Sequence, residues 1–166
     1  MDIFSHALWG VTIVRKQNLF WWVALTGMAP DILGTGPGFI YIMIKYHVFI
    51  SYKTWNLLPY WMNVSYSFWH GLPAVVLIWL LFYLFARGYQ VIIWPYAWHI
   101  FIDLFSHHNN ILARLLFPLP NPWPQLNWFG YDWWQYSTVW IINLVLLVIV
   151  NLYFWWPKVL SKLSRD

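Results

Sequence analysis

The sequence predicts an all-α integral membrane protein, a bundle of about three full spans with short N-terminal and interfacial helices. Hydrophobic residues make up 61% of the 166 residues and charged residues 8%, a balance that cannot give a soluble protein its polar surface. The three apolar runs long enough to cross a bilayer are residues 64–86, 89–107 and 136–156. A chain of this length forms one domain, so residues 1–166 are expected to be a single transmembrane helical domain.

The N-terminal third contains apolar pieces that are too short to cross a bilayer. Two of them are residues 3–14 and 19–29, and Pro30 predicts a helix boundary after the second because proline lacks a backbone N–H. Residues 39–50 are apolar again and fit either a half-span or an interfacial helix. Residues 54–63 combine a proline with several aromatics, which favours an interfacial loop.

Composition also limits the kinds of partner and the cellular compartment that we expect. The lysines and arginines lie at segment ends, which is typical of multi-pass proteins of the cytoplasmic (inner) membrane. No basic face emerges, so nucleic acid is not expected as a partner. The 16 tryptophans and 11 tyrosines predict interfacial belts and helix packing against the lipid bilayer.

One polar stripe runs through the second predicted span. His99, Asp103 and His107 follow one another at intervals of four residues, so a helix places them along one face. Ionisable side chains at membrane depth are costly, which marks them as candidates for function. The alternative is a hydrogen bond that only packs helices, because an aspartate satisfies a buried imidazole N–H.

Other metal-competent side chains lie on separate pieces of the chain. The chain has no cysteine and no glutamate, so a metal-bound hydroxide is the best nucleophile available to it. Imidazole with carboxylate suits Zn²⁺, Mn²⁺ or Fe²⁺. We therefore expect one or two divalent ions, with zinc foremost, and Asp31 and Asp103 as the catalytic carboxylates. The expected ligands are His6, Asp31, His70, His99, Asp103 and His107.

Blocks spread over nearly the whole chain resemble a family of small membrane-bound metal-dependent hydrolases of bacteria and archaea. Inner-membrane hydrolases regulated by LexA are distant members of that family. The Thr and Ser of the family's third block are replaced here by Trp69 and Gly71. The matching blocks are MDIFSHALWG with His6, Pro30-Asp31, Trp69-His70-Gly71-Leu72, His99-Ile-Phe-Ile-Asp103-Leu-Phe-Ser-His107, and Trp133-Trp134-Gln135-Tyr136-Ser137.

The order of the ligands is also similar to that of zinc-dependent phospholipase C and related nucleases. Those enzymes hold a zinc cluster on an all-helical fold and cleave phosphodiesters. By this likeness Asp31 would bind or bridge metals, while His70 and Asp103 would ligate and His6 and His99 would complete the set. The chain lacks the later His-x3-Glu pair, which argues against a third metal.

The sequence therefore predicts a membrane-embedded metal-dependent hydrolase that acts on a phosphoester of a lipid or another amphiphile. A second hypothesis is a non-catalytic structural or accessory subunit, in which the same polar residues lock helices together and the aromatics meet a membrane-protein partner. A third is a haem protein with His70 and His99 as axial ligands.

Overall fold

The fold is all-helical, as the sequence predicts. The computed structural model describes residues 3–48, 57–106, 115–119 and 137–163, and these contain helices and turns but no strand. Short 3₁₀ turns at Gln17–Leu19 and Arg87–Ile92 lead into the second and sixth helices. The helices are α1 (Ile3–Ile13), α2 (Phe20–Gly34), α3 (Gly36–Tyr46), α4 (Tyr60–Trp69), α5 (Leu72–Phe85), α6 (Ile93–Ser106) and α7 (Ser137–Leu163).

Pro30 does not end the helix that carries it. α2 continues to Gly34, and the buried Pro30 lies inside it. The helix pauses at Thr35, whose backbone N–H and hydroxyl both donate to the Asp31 carbonyl, at 2.9 and 2.8 Å. The predicted boundary at Pro30 is therefore wrong, because a single missing donor is tolerated where the bonds on either side of it persist.

The predicted span over residues 64–86 is two helices joined at a sharp bend. α4 begins at Tyr60, inside the stretch predicted to be an interfacial loop, and the α4–α5 pair is bent by 56°. Gly71 has an extended backbone at the break, and a proline occupies the first turn of α5. Proline is favoured there because the first N–H groups of a helix have no partner inside it.

Only part of the predicted span count is supported. By length and composition, the residues Thr138–Trp156 of α7 could cross a membrane, and the bent α4–α5 pair could be a second span. α6 has 14 residues because the chain before it forms a 3₁₀ turn, whereas a full span needs about 20. The expectation of three full spans is therefore not confirmed.

Glycines allow α1 to pack closely against its neighbours. A Cβ at Gly27 on α2 would lie 2.7 Å from the backbone oxygen of His6. A Cβ at Gly10 would lie 2.9 Å from Cβ of Pro95 on α6 and 3.1 Å from the backbone oxygen of Val23. α1 and α2 are therefore antiparallel, and α6 runs in the same direction as α2.

Two asparagines join α7 to α1. The Asn143 amide donates to Ser5 Oγ at 2.8 Å, and the Asn151 amide donates to Thr12 Oγ1 at 2.9 Å. Asn151 also donates to the Leu147 carbonyl on its own helix. The eight-residue spacing places both asparagines on one face of α7. Because the earlier asparagine contacts Ser5 and the later one contacts Thr12, α7 runs parallel to α1.

Candidate metal centre

Four side chains from α2, α4–α5 and α6 converge on one point. Asp31, His70, His99 and Asp103 each offer a ligand atom, and these four atoms lie within 4.8 Å of one another. The group could therefore hold a metal ion. Three of the four residues are buried and Asp31 is partly buried.

Each member is presented by a different feature of the local fold. Asp31 follows Pro30 in the last turn of α2, and His70 caps α4 at the break before α5. His99 and Asp103 lie one turn apart on α6, where the i, i+4 spacing puts them on one face. The Tyr96 hydroxyl, also on α6, donates to the Trp69 carbonyl and ties α6 to the end of α4.

The imidazole nitrogens face the carboxylates at short range. Nε2 of His99 lies 3.1 Å from Oδ2 of Asp103 and 3.7 Å from Oδ1 of Asp31. Nε2 of His70 lies 3.3 Å from Oδ1 of Asp31 and 3.8 Å from Oδ2 of Asp103. The two Nε2 atoms are themselves 3.3 Å apart.

Backbone carbonyls fix which nitrogen of each ring carries the proton. Nδ1 of His99 lies 2.7 Å from the Gly27 carbonyl oxygen, and Nδ1 of His70 lies 3.2 Å from the Tyr66 carbonyl oxygen. A carbonyl only accepts, so Nδ1 must be the donor in both rings. In the neutral ring this leaves Nε2 with a lone pair, the state in which histidine binds metals while a backbone carbonyl orients it.

The centre therefore gathers acceptors that need a positive charge between them. Two Nε2 lone pairs and two carboxylate oxygens would repel one another if nothing cationic lay among them. A divalent ion satisfies all four at once. Extra protons are the other way to satisfy them, with an imidazolium that donates to a carboxylate.

His6 lies beside this group and not within it. Its ring stacks on that of His99, with centroids 3.5 Å apart, and its Nε2 lies 3.1 Å from Oδ1 of Asp103. Among the described residues, neither ring nitrogen of His6 makes a hydrogen bond of acceptable angle. His6 thus faces the carboxylate oxygen of Asp103 that points away from His99.

The centre is nearly closed to solvent, with Asp31 as its most exposed member. The side chains of His6, His70 and Asp103 retain at most 2% of their exposure, whereas Asp31 retains 21%. Water and substrate would therefore approach along Asp31. Ile32 and Leu33, on the adjoining faces of α2, are exposed apolar side chains.

Five of the six predicted ligands lie in the described part of the chain, and the structure brings all five together. His107 is outside the described residues. Sequence reasoning missed the two carbonyls that orient the histidines. The one at Tyr66 had a signal, since it lies four residues before His70 on a helix, whereas the contact from Gly27 crosses 72 positions and had none.

Comparisons with family models, curated proteins and solved structures found no match to this chain. The resemblance to membrane-bound metal-dependent hydrolases therefore stays a prediction from the sequence.

Proposed function

We propose that this chain is a multi-pass membrane metalloprotein that binds one divalent ion, with zinc foremost, through His70, His99 and Asp103. The observation that carries the proposal is the pair of Nδ1 donors, which leave both Nε2 atoms as acceptors facing two carboxylates. Two imidazoles with one carboxylate form a set that zinc uses in catalytic sites, where a further position stays open.

We further propose that the centre is hydrolytic, with Asp31 as the carboxylate that handles water. Asp31 is the most exposed of the four converging residues, so water reaches the group most readily beside it. An ion in this site would supply Lewis acidity and lower the pKa of a water molecule. Asp31 would orient that water and accept its proton, while Asp103 and the two histidines hold the ion.

An ester of an amphiphile is the substrate class that fits this setting. Exposed apolar side chains lie on the outer surfaces of α2 and α7. Such surfaces suit a molecule that stays in the bilayer while its head group reaches the centre. A phosphoester of a lipid, the substrate predicted from the sequence, is the first candidate.

Metal analysis of protein purified in mild detergent tests the binding step. We expect about one first-row ion per chain, and we expect Co²⁺ to enter the emptied site with the visible absorption of an N/O ligand field. Protein that contains no metal and takes up neither Zn²⁺, Mn²⁺ nor Co²⁺ would show that the centre is filled by protons.

The catalytic step needs a separate assay. Vesicles that contain phosphoester lipids should release product with the metal-loaded protein and not with the Asp31→Asn variant. A metal-loaded protein that releases nothing from phosphoester or carboxylic ester lipids would leave a structural metal site and refute the hydrolase.

The structural-subunit hypothesis has one observation in its favour. The stacking of His6 on His99 and the bond from His99 to Gly27 tie α1, α2 and α6 together, which a proton-filled network would also achieve. In that case a His99→Ala, Asp103→Ala double variant would lose thermal stability without any change in metal content. The haem hypothesis does not fit, because Asp31 and Asp103 lie where a porphyrin between His70 and His99 would have to pass.

A further inference from the structure

The described bundle has two different ends, and the candidate centre belongs to one of them. On α1, His6 is level with Gly27 of α2, whereas Gly10 is level with Val23 and Pro95. Moving along α1 from His6 to Arg15 therefore leads away from the centre. At the far end the Arg15 guanidinium lies over the ring of Phe154 on α7, 3.6 Å from its centroid.

The depth of the centre follows from its position along α7. Its apolar stretch runs from Thr138 to Trp156, and Asn143 within it binds Ser5, the neighbour of His6. At ~1.5 Å per residue, Asn143 lies about 8 Å from the start of that stretch and about 20 Å from its end. If α7 spans a bilayer, the centre lies in the outer third of the hydrocarbon on the side of Thr138.

Positive charge is concentrated at the opposite end. Arg15 and Lys16 follow α1, and Arg87 follows α5, whose C-terminal half packs with the cluster around Val14. Among the described residues, only Lys45 at the end of α3 is a basic residue outside this end. The other basic residues in the described part of the chain are Lys158 and Lys162, on the last turns of α7 beyond Phe154.

We propose that the Asp–His centre opens toward the extracytoplasmic leaflet, about 8 Å below its surface, and takes its metal and its lipid substrate from that side. Short basic segments stay on the cytoplasmic side of a membrane, so the end with Arg15 and Arg87 is cytoplasmic. The opposite end, where Thr138 begins the apolar stretch, is then extracytoplasmic. This inference rests on the proposed insertion into a bilayer.

The depth of the centre also favours one class of scissile bond in the substrate. A point about 8 Å inside the apolar stretch lies in the outer acyl-chain region, within the depth of about 5–10 Å to which interfacial helices bury their apolar faces. The scissile bond is therefore one that joins a head group to its lipid, rather than a bond at the tip of a large soluble head group. Lipids confined to the cytoplasmic leaflet are excluded.

The absence of cysteine makes orientation directly measurable. We suggest two single-cysteine variants, Thr138→Cys at the start of the apolar stretch and Gly88→Cys beside Arg87. Thr138 is exposed, and a Cβ at Gly88 meets nothing within 4 Å. In spheroplasts treated with a membrane-impermeant maleimide, the first should react at once and the second only after permeabilisation. The reverse pattern, or equal reaction of both, would overturn the inference.

A chelator assay tests the side of the metal itself. EDTA added to intact spheroplasts should strip the ion from the centre, whereas EDTA outside sealed inverted vesicles should leave it in place. Loss of metal only from inverted vesicles would refute the extracytoplasmic opening while leaving the metal site intact. Protein without metal in either preparation would refute the proposed function, and the two cysteines would still decide the orientation.

Discussion

At the two ends of this bundle, the same helices pack through different kinds of side chain. Near Arg15 the helices meet through an apolar cluster that includes Val11, Val14, Leu19 and Val23. Near His6 they meet through buried imidazoles, two of them stacked, and the buried carboxylate of Asp103, with Asp31 partly exposed beside them. Apolar packing would hold either end, so the costly polar end indicates a role that packing alone does not require.

The apolar end and the polar end also have separate roles in the molecule. The apolar end and the asparagine contacts fix the positions of α1 and α7 without any ionisable group. The helices at the polar end are therefore held in position without a metal ion. Substitutions at the apolar end should therefore change stability alone, whereas those at the polar end should change metal binding.

The largest effect is expected from removing a carboxylate. Asp103→Asn and Asp31→Asn keep the side-chain volume but replace an anionic oxygen by an amide that donates. We expect metal affinity to fall by about 100-fold or more in Asp103→Asn, which loses a ligand, and by about 10- to 100-fold in Asp31→Asn, whose carboxylate lies beside the ion. Mass spectrometry of the purified protein measures the metal per chain. Unchanged stoichiometry in both variants would remove the site.

A matched pair of glycines gives the next effect. Gly27→Ala places a Cβ 2.7 Å from the His6 backbone, and Gly10→Ala places one 2.9 Å from Pro95. Overpacking costs about 1–3 kcal/mol, so both should lower the melting temperature. Only Gly27→Ala should also release metal, because the Gly27 carbonyl orients His99.

The control for this pair is Gly36→Ala, where a Cβ meets nothing within 4 Å. That variant should change stability by less than about 0.5 kcal/mol. If Gly27→Ala and Gly10→Ala lose metal equally, the two ends are not independent and the comparison between them fails.

The contact between α7 and α1 should show a smaller effect. Asn151→Leu keeps the approximate volume and removes the bond to Thr12. Polar contacts between membrane helices average about 0.6 kcal/mol and reach about 1.7 kcal/mol, so we expect a loss in this range with metal content unchanged. Thermal unfolding in detergent measures it. A loss of metal in this variant would mean that the contact between α7 and α1 holds the centre in place.

The smallest effect belongs to Arg15 at the far end. Its guanidinium lies over Phe154 and donates from Nε to the Thr12 carbonyl at 3.0 Å. Arg15→Gln should cost about 0.5–1 kcal/mol, the usual worth of an exposed cation–π pair. Arg15→Lys should recover part of this. Neither should change metal content, and a metal defect in both would contradict the separation of the two ends.

Local spacing allowed part of the centre to be predicted. His99 and Asp103 share a helix, and four residues place them on one face whatever surrounds them. Asp31 and His70 were predicted as ligands from their residue types and from the resemblance to membrane-bound hydrolases, although nothing local shows that they meet. Their meeting depends on the bend between α4 and α5 and on the length of α2, which the prediction at Pro30 underestimated.

The predicted span count is not confirmed, for a related reason. Hydropathy along residues 64–86 is continuous, and it does not reveal that Gly71 interrupts the helix. Likewise the run over residues 89–107 contains a 3₁₀ turn that shortens α6. Apolar composition measures affinity for lipid, whereas helix continuity depends on backbone bonds that a glycine or a following proline redirects.

The amino-acid sequence alone determined the helical class, the apolar composition that favours a membrane, the donor types and the pairing within α6, because each follows from composition or from helical periodicity. Only the tertiary structure decided which nitrogen of His70 and of His99 faces the carboxylates. It also decided that His6 stands beside the group, and that the group sits nearer one end of α7. Those facts depend on carbonyls and helices brought together from distant positions, and no local pattern encodes such distances.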